Sequence, residues 1–548
     1  MTRTLVLPLI ACVAAVVAGC SAGTSTEAGG GSTSSSPGQR TTAAPTSPMP
    51  EPTSSEPTTP GGAMPPMPGV TAAEQRRAER AVAQMSLPER AGQVIVASYT
   101  GTSAPADLVA GEHLAGVISF SDNIASIADL RRDLARLQRA DDRPWPLFTG
   151  IDQEGGIVAR AGAPLTEFPT FMTYGASGRT DLARAAAEAS GEELRATGFT
   201  AVFAPDADVT SGPGDPTIGS RSAGSDPQVV ADAMAAAVQG YQDAGILPVV
   251  KHFPGHGSVP ADSHLELPVQ DASMRQLRRR DLVPFRRAVE AGAPAVMVAH
   301  IDVRAVDPGQ PSSVSRKVVG GLLRKQLGFR GLVMTDSMQM AGLTDRYGTG
   351  KAAVRALRAG ADVLLMPSEP VVAKRALVGA VRDDRLPRRR LTEAATRVVA
   401  QLMHTGGTPV PPPSVIGSHQ RLSQRVSAAA ITVTDGPCQG RLVGQAVQVS
   451  GDPTAVGRFE RAAREAGLGI GSGDSVALLG YGAGGASADV VVTTDTPYAL
   501  GASTAPVKIA AFGETPGAMR ALVDVLLGEH KAPGRLPVPV DGVSRRGC

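Results

Sequence analysis

Hydrophobic and polar positions alternate with two different periods along the chain after Val70. Short runs rich in Val, Ile and Leu are typical of buried β-strands. They predict strands at Gln93–Ser98, Gly116–Phe120, Leu147–Asp152, Ala201–Pro205, Pro248–His252, Ala295–His300, Leu332–Thr335 and Asp362–Met366. Apolar positions between several of these runs recur with the helical period, which predicts helices at Leu182–Thr197, Pro227–Gln242, Met274–Glu290 and Lys351–Ala359.

This alternation predicts the α/β class, with a (β/α)8 TIM-like barrel formed by the eight β-runs and their helical crossovers. An open doubly wound sheet shares the alternation, but the number of runs favours the barrel. Nearly every predicted strand ends in a polar residue, and barrel active sites lie at that end of the strands. These residues are Asp152, Asp206, Asp208, Lys251, His252, His300 and Asp336.

A Pro-rich segment, TGGTPVPPPS at Thr405–Ser414, predicts a domain boundary. The strands predicted beyond it are Ala429–Thr434, Ala446–Ser450, Val476–Gly480, Val490–Thr494 and Ile509–Phe512. With helices at Thr454–Gly467 and Pro516–Gly528 they predict a smaller α/β sandwich. The predicted domains are the barrel at 69–404, the linker at 405–415 and the C-terminal sandwich at 416–548.

Residues 1–20 have the pattern of a signal peptide. Arg3 precedes an apolar run, Leu5 to Ala18, that is too short for a stable membrane span. Small residues lead to Cys20 and resemble the lipobox of bacterial lipoproteins, in which the cysteine is lipidated. The alternative is an ordinary secretory peptide with an incidental cysteine. Residues 21–68 are mostly Ser, Thr, Gly, Pro and Ala, which predicts a disordered tether.

We therefore expect a protein anchored by lipid to the cell membrane and facing outside. In an oxidising compartment Cys438 and Cys548 could form a disulfide, or both could stay free thiols. The 53 basic residues nearly balance the 51 acidic ones and leave a net charge of +2. This balance gives no indication of a polyanionic partner, and we expect no nucleic acid binding.

The stretch Leu247–Leu267 concentrates the candidate chemistry, because four of the eight histidines of the chain lie between His252 and His300. A helical metal site at His252 and His256 is excluded by the Pro-Gly pair between them. A metallohydrolase that gathers its ligands from several strands remains an alternative.

Acid–base chemistry fits Asp262 and His264 better than metal binding does. Asp262 and His264 are two apart, so in an extended segment both side chains point the same way and the carboxylate can hold the imidazole. Histidine titrates near neutral pH, which suits a group that gives a proton and later takes one back.

A second candidate is Asp336, which follows the predicted strand Leu332–Thr335 and should stand at the barrel mouth. A charge in this position is costly unless it is paired or used. Its alternative role is to cap the helix that follows.

Four segments together resemble the signature of glycoside hydrolase family 3, and most closely its β-N-acetylglucosaminidase branch. They are IDQEGGIVAR (Ile151–Arg160), KHFPGHG (Lys251–Gly257), DSH (Asp262–His264) and VMTDSM (Val333–Met338). The stretch Phe512–Val540 is similar to the family's second α/β domain. In related β-glucosidases the acid/base is a glutamate of that second domain, whereas the histidine motifs here are typical of the other branch.

The resemblance implies a role for each matching residue. Asp336 matches the nucleophile, and His264 with Asp262 matches the acid/base dyad. The residues that match positions for binding the terminal sugar are Asp152, Arg160, Arg221, Lys251 and His252. The implied activity is that of a retaining exo-β-N-acetylglucosaminidase with no metal or organic cofactor.

Outside the membrane, the expected partners are β-linked N-acetylglucosamine (GlcNAc) glycans such as peptidoglycan fragments. The alternatives are a β-glucosidase, another exo-glycosidase or a glycoside phosphorylase of the same family, and a non-enzymatic sugar-binding lipoprotein.

Overall fold

The computed structural model describes residues 64–545 and residue 547. The predicted signal peptide, Cys20, residues 21–63 of the predicted tether and Cys548 lie outside the described residues. Cys438 is disulfide-bonded, and the other cysteines of the chain all lie outside the described part. Among the helices of residues 64–545, none is both long enough and apolar enough to cross a membrane.

Eight buried parallel strands form a barrel, as the hydrophobic runs predict. They are β1 (Ile95–Ala97), β2 (Gly116–Ser119), β3 (Phe148–Ile151), β4 (Ala201–Val202), β5 (Leu247–Phe253), β6 (Ala295–Val298), β7 (Leu332–Thr335) and β8 (Leu364–Leu365). Hydrogen bonding follows the order β7-β6-β5-β4-β3-β2-β1-β8. A parallel bridge from Met334 in β7 to Val363, just before β8, closes the ring. Closure confirms the barrel and excludes the open sheet.

Helices surround the strands and cover their outer face. The helices of the barrel domain are Ala72–Gln84, Leu87–Gly92, Ala106–Glu112, Ile127–Gln138, Met172–Ser177, Thr180–Thr197, Pro227–Asp243, Met274–Arg279, Leu282–Glu290, Lys317–Gln326 (a π-helix), Ala341–Thr344, Thr349–Ala359, Pro370–Arg382 and Arg388–Gly407. The last of these continues through Gly407, so the first residues of the predicted linker are helical.

One predicted helix, Met274–Glu290, is broken in the structure. The backbone leaves the helical region at Arg280, with φ −126° and ψ −82°. The next residue, Asp281, is buried and accepts a hydrogen bond from the hydroxyl of Ser258 at 2.6 Å. This tertiary contact holds Asp281 against the loop after β5 and overrides the local helical period.

The second domain is built on a six-stranded sheet. Its strands are β9 (Thr432–Asp435), β10 (Ala446–Ser450), β11 (Gly469–Ile470), β12 (Asp474–Leu479), β13 (Val490–Thr493) and β14 (Val507–Ala510), in the order β9-β14-β13-β12-β10-β11. Only the β9–β14 pair is antiparallel. Its helices are Gln420–Ala428, Pro453–Glu465 and Pro516–Leu526. The predicted smaller α/β domain is confirmed.

The two faces of this sheet pack against different partners, because side chains alternate along a strand. Val476 and Leu478 of β12 pack with Phe459 and Leu522 of the domain's own helices. On the opposite face, Ala477, Val491 and Ala510 form one cluster with Met172 and Ala176 of the barrel helix Met172–Ser177 and with Val538 of the C-terminal segment. The barrel domain thus supplies part of the second domain's core.

Candidate active site

A cavity of about 380 Å³ opens at the carboxyl ends of the barrel strands. Seven of the residues singled out from the sequence line it, and they are Asp152, Arg160, Arg221, Lys251, His252, His264 and Asp336. Every described residue of its lining lies between Ile118 and Met366, so the described part of the second domain contributes none. The cavity is therefore a site of the barrel domain.

One wall of the cavity is a buried cluster of charges centred on Glu154. The Lys251 ammonium lies 2.6 Å from an oxygen of Asp152 and 2.7 Å from one of Glu154. The Arg221 guanidinium donates two further hydrogen bonds to Glu154, over 2.9 Å from Nε and 2.8 Å from Nη2. The side chains of Glu154 and Lys251 are each only 3% exposed.

These ion pairs decide the charge of each partner. Burial on its own would raise the pKa of Glu154, but Arg221 and Lys251 hold that pKa below its ordinary value. Burial would lower the pKa of Lys251, but Asp152 and Glu154 raise it. Both carboxylates are thus engaged with cations, and this wall can bind polar groups but is a poor proton donor.

His252 is held from both ring nitrogens. Its Nδ1 lies 2.7 Å from Asp208 and its Nε2 lies 3.3 Å from the Arg221 guanidinium. A guanidinium can only donate, so Nε2 accepts and Nδ1–H donates to Asp208. Burial raises the pKa of Asp208, but the facing imidazoles of His252 and His256 lower it to about 2. Asp208 is therefore an ionised carboxylate, and in this form it orients the imidazole of His252.

Asp206, Asp208 and His252 offer ligand atoms within 4.8 Å of one another, a spacing that a metal ion could use. The guanidinium of Arg221 lies 3.6 Å from the Asp206 carboxylate, so a cation of the protein itself already faces this cluster. Burial, followed by the charge of Asp208, raises the pKa of Asp206 well above its ordinary value. A raised pKa favours the protonated form of Asp206, and with an arginine already beside it this residue is a weak ligand for a metal ion.

Asp336 follows β7 directly and faces the cavity. One carboxylate oxygen accepts a hydrogen bond from the Ser337 amide at 2.8 Å. Burial would raise its pKa, but the positive charge that His252 and His300 acquire when they are protonated, together with the Ser337 amide and Lys251, holds it below the ordinary value. The carboxylate is thus ionised over the whole physiological pH range. The capping role is excluded, because the next helix begins at Ala341 with Met340 at its N-cap.

The backbone beside Asp336 is fixed by His300. Its Nε2 lies 2.9 Å from the carbonyl oxygen of Ser337, and its Nδ1 lies 2.6 Å from the hydroxyl of Ser313. The carbonyl can only accept, so Nε2 carries the hydrogen and Nδ1 accepts from Ser313. Burial lowers the pKa of His300 and keeps the ring neutral. His300 thus holds the Ser337 carbonyl and, through it, the backbone next to Asp336.

Asp262 and His264 meet as expected, but not in an extended segment. The Asp262 carboxylate accepts from the backbone amide of His264 at 2.9 Å and lies 2.7 Å from its Nδ1. An aspartate that bonds the amide two residues on forms an Asx turn, and this turn, not strand alternation, brings the two groups together. The side chain of His264 is 65% exposed, so its Nε2 can reach a group outside the cavity wall.

The turn is tied to the barrel by its middle residue. Ser263 is buried, and its hydroxyl lies 2.9 Å from Nε2 of His256. The amide of Gly342, after β7, donates a hydrogen bond to the Ser263 carbonyl at 3.3 Å. Arg160 also lines the cavity, and its guanidinium lies 6.0 Å from the centroid of the Phe120 ring.

Glu154 is the most important site residue that the sequence reasoning missed. It follows Asp152 by two positions, and in the short strand Gln153–Gly155 alternate side chains point the same way. The spacing rule that linked Asp262 to His264 would have linked Asp152 to Glu154. Ser263 and Ser337 carried no comparable signal, because their roles depend on partners from other loops.

Comparison with known families gives one match that covers most of the barrel. The sequence model described as "Glycosyl hydrolase family 3 N terminal domain" matches residues 82–401. Curated relatives include "Beta-hexosaminidase A" of Pseudoalteromonas piscicida, 32% identical over 361 residues, and "Beta-hexosaminidase LpqI" of Mycobacterium tuberculosis, 35% identical over 359 residues. The alignments cover 60% and 63% of this chain, and 60% and 90% of those proteins respectively.

Among solved structures, one similar chain is described as a glycoside hydrolase family 3 β-N-acetylglucosaminidase from Paenibacillus sp. str. FPU-7. It superposes with a TM-score of 0.76 at 29% sequence identity. The superposition covers 84% of this chain and all of that one, so the similarity extends over both domains.

Proposed function

The chain belongs to glycosyl hydrolase family 3 and is a glycoside hydrolase, and from this premise we propose that it is a retaining exo-β-N-acetylglucosaminidase. Its substrate is a glycan with a terminal β-linked GlcNAc. Relatives described as β-hexosaminidases and a structural neighbour described as a β-N-acetylglucosaminidase support this choice. The observation that carries the mechanism is that Asp336 and His264 line one cavity to which the described second domain adds no carboxylate.

Asp336 is the nucleophile in this proposal. Asp152 and Glu154 also line the cavity, but both are ion-paired with Lys251. Asp336 carries instead a single hydrogen bond from a neighbouring amide and a lowered pKa. It attacks the anomeric carbon and forms a glycosyl ester, while the bond to the aglycone oxygen breaks.

His264 is the acid and then the base. Its Nδ1–H is held by Asp262, which leaves Nε2 to carry the transferred proton. Protonated Nε2 donates to the departing glycosidic oxygen. In the second step the neutral Nε2 takes a proton from water as the water oxygen attacks the anomeric carbon. The bond from that carbon to the Asp336 oxygen breaks, which releases β-GlcNAc and restores the Asp336 carboxylate.

The charged wall binds the terminal sugar. Asp152, Arg160, Arg221, Lys251 and His252 present both donors and acceptors to the cavity, as a ring of hydroxyl groups and an acetamido group requires. The ion pairs of Lys251 with Asp152 and Glu154, and of Arg221 with Glu154, hold these side chains in place before the sugar binds, so less entropy is lost on binding.

Anchoring completes the proposal. Lipidation of Cys20, followed by a flexible tether, would place the enzyme outside the cell membrane, next to the wall. The tether is shorter than the predicted 21–68, because Met67 is buried in the barrel core and the Met64 carbonyl accepts a hydrogen bond from Gln75 at 2.7 Å. The β-linked GlcNAc available there is that of peptidoglycan, so we assign wall fragments as the substrate.

Product analysis tests the reaction. The purified protein is incubated with GlcNAc linked to anhydro-N-acetylmuramic acid, with and without phosphate, and the early products are followed by NMR. We expect β-GlcNAc as the first product in both cases. GlcNAc 1-phosphate in the phosphate arm would show a phosphorylase, and preferred cleavage of an aryl β-glucoside over the aryl β-GlcNAc would show a β-glucosidase.

His264→Ala tests the acid/base assignment through the leaving group. With a very acidic phenol as aglycone, departure needs no proton, so formation of the glycosyl-enzyme should slow little. With a sugar aglycone it should slow by about 10² to 10⁴. Azide, which needs no base, should restore turnover and give a β-glycosyl azide. Equal losses for both aglycones without azide rescue would remove His264 from this role.

A further inference from the structure

The second domain holds two loops of the barrel with the carboxyl ends of two neighbouring parallel strands. Asp495 lies just beyond β13, and Phe512 lies just beyond β14. The carboxyl edge of a parallel sheet is where such domains usually bind their ligands. Here that edge is occupied by segments of the barrel domain.

The first of these contacts reaches the loop that carries Arg221. The buried hydroxyl of Ser220 donates a hydrogen bond to the carboxylate of Asp495, which is only 3% exposed. Ser220 and Arg221 belong to one 3-10 turn, Gly219–Arg221. One residue of the turn therefore faces the second domain, while the next faces the cavity and Glu154.

Both ends of this loop are tied to other segments, because the Ser211 amide donates to the Gly257 carbonyl at 2.8 Å and the Ser225 amide donates to the Pro537 carbonyl at 3.2 Å.

The backbone of the turn Gly219–Arg221 between them is hydrogen-bonded within the loop. The carboxylate of Asp215 accepts from the amide of Thr217 at 3.1 Å and from that of Ile218 at 2.9 Å. These bonds shape the turn, but they lie within the loop and do not fix it to a rigid element. The bond from Ser220 to Asp495 joins the turn to a buried strand end.

The second contact, at Phe512, supports the segment that holds Glu154. The carbonyl oxygen of Phe512 accepts from the hydroxyl of Thr170 at 2.8 Å and from that of Thr173 at 3.2 Å. The segment before Thr170 supports the turn after Glu154, because the Gly156 amide bonds the Phe168 carbonyl at 2.9 Å. Both partners of the Glu154–Arg221 pair thus rest on segments that the second domain holds.

We propose that Asp495 is a positioning residue for sugar binding: through Ser220 it holds the turn that presents Arg221 to Glu154 and to the cavity. The second domain then acts on substrate affinity without touching the substrate. This inference rests on the proposed function in one respect, namely that Arg221 binds the terminal sugar.

Steady-state kinetics on an aryl β-GlcNAc test the proposal. Asp495→Ala should raise KM about tenfold, as expected for the loss of one buried hydrogen bond, with kcat within about twofold of wild type. Asp495→Asn keeps an oxygen that accepts from Ser220 and should stay within about threefold in KM. Ser220→Ala should match Asp495→Ala, and the double variant should be no worse than either, because both remove the same bond.

A matched control lies at the other end of the same strand. Ser475 donates to Asp489, just before β13, over 2.7 Å, and this pair is exposed and far along the strand from the barrel contact. Asp489→Ala and Ser475→Ala should leave KM unchanged.

Four outcomes would overturn the proposal. They are an unchanged KM in folded Asp495→Ala, a fall in kcat with KM unchanged, an equal effect of Asp489→Ala, and additive losses in the double variant. If the wild-type protein releases no GlcNAc, the proposed function is contradicted but the positioning role of Asp495 is still open to test. Hydrogen exchange of peptides over residues 210–222 provides that test. Faster exchange there in Asp495→Ala, but not in Asp489→Ala, supports it, and unchanged exchange refutes it.

Discussion

Replacing Glu154 by Gln tests whether the buried charged wall stabilises the barrel and binds the sugar. The amide keeps the shape of the side chain but removes the negative charge between Arg221 and Lys251. Two cations, with side chains 11% and 3% exposed, would then share one neutral partner. Asp152 remains for Lys251, but Arg221 loses its two-point partner.

The magnitude follows from the cost of an unpaired buried charge. Removing one partner of a buried ion pair costs about 3–5 kcal/mol. For a barrel of this size we expect the midpoint of thermal unfolding to fall by about 4–7 °C at pH 7. Arg221 would also be held less firmly in the cavity without its bidentate carboxylate, so KM for an aryl β-GlcNAc should rise by about tenfold or more.

The pH dependence has a definite sign. The folded-state pKa of Glu154 is depressed, so its stabilisation is fully present above the unfolded-state pKa of about 4.3 and is lost as pH falls toward the folded-state value. The difference between wild type and Glu154→Gln should therefore hold from pH 7 to about pH 5 and shrink below about pH 4.

Asp362 offers a matched control. It is also a buried carboxylate between two arginines, Arg324 and Arg390, but it precedes β8 at the opposite end of the barrel. Asp362→Asn should lower the unfolding midpoint comparably and leave KM within about twofold. An unfolding midpoint of Glu154→Gln within 1–2 °C of wild type (about 1 kcal/mol or less) would refute the energetic argument. Equal increases in KM for both variants would refute the link to the sugar.

Three further predictions concern the reaction and its location. Asp336→Asn should lower turnover by a factor of about 10³ or more with an unchanged circular dichroism spectrum, and activity within tenfold of wild type would exclude it as nucleophile. Because the pKa of Asp336 is lowered, kcat/KM for an aryl GlcNAc with a very acidic phenol should stay level from pH 7 down to about pH 4; a loss between pH 6 and 5 would contradict its ionised state. Cys20→Ala should move the protein from the membrane to the soluble fraction with unchanged kinetics, and a firmly membrane-bound variant would rule out this anchor.

Local pattern was sufficient for the strands of the barrel and for the residues at their ends. Asp336 could be placed at the mouth because it follows a short apolar run, and in a parallel barrel every strand ends at the same face. The pairing of Glu154 with Arg221 could not be predicted in this way. These residues are 67 positions apart and meet only after the loops have folded over the barrel.

The differences from prediction have the same origin. The period of Met274–Glu290 is helical throughout, but the buried Asp281 bonds Ser258, which is 23 residues away, and the helix breaks there. The bond from Ser220 to Asp495 spans 275 positions and two domains. Neither residue type nor spacing carries a signal for a contact of that range.

The packing of the helix Met172–Ser177 into the second domain also affects how the chain can evolve. Next to this helix, a Cβ on Gly224 of the barrel domain would lie 2.7 Å from the backbone carbonyl oxygen of Pro537, so the two domains meet there at backbone distance. A larger residue at this contact in one domain fits only if the facing residue of the other domain becomes smaller by the same volume. The two halves of this chain should therefore be inherited as a unit, and recombination that exchanges one half with a distant relative should produce chimaeras that fail at this seam.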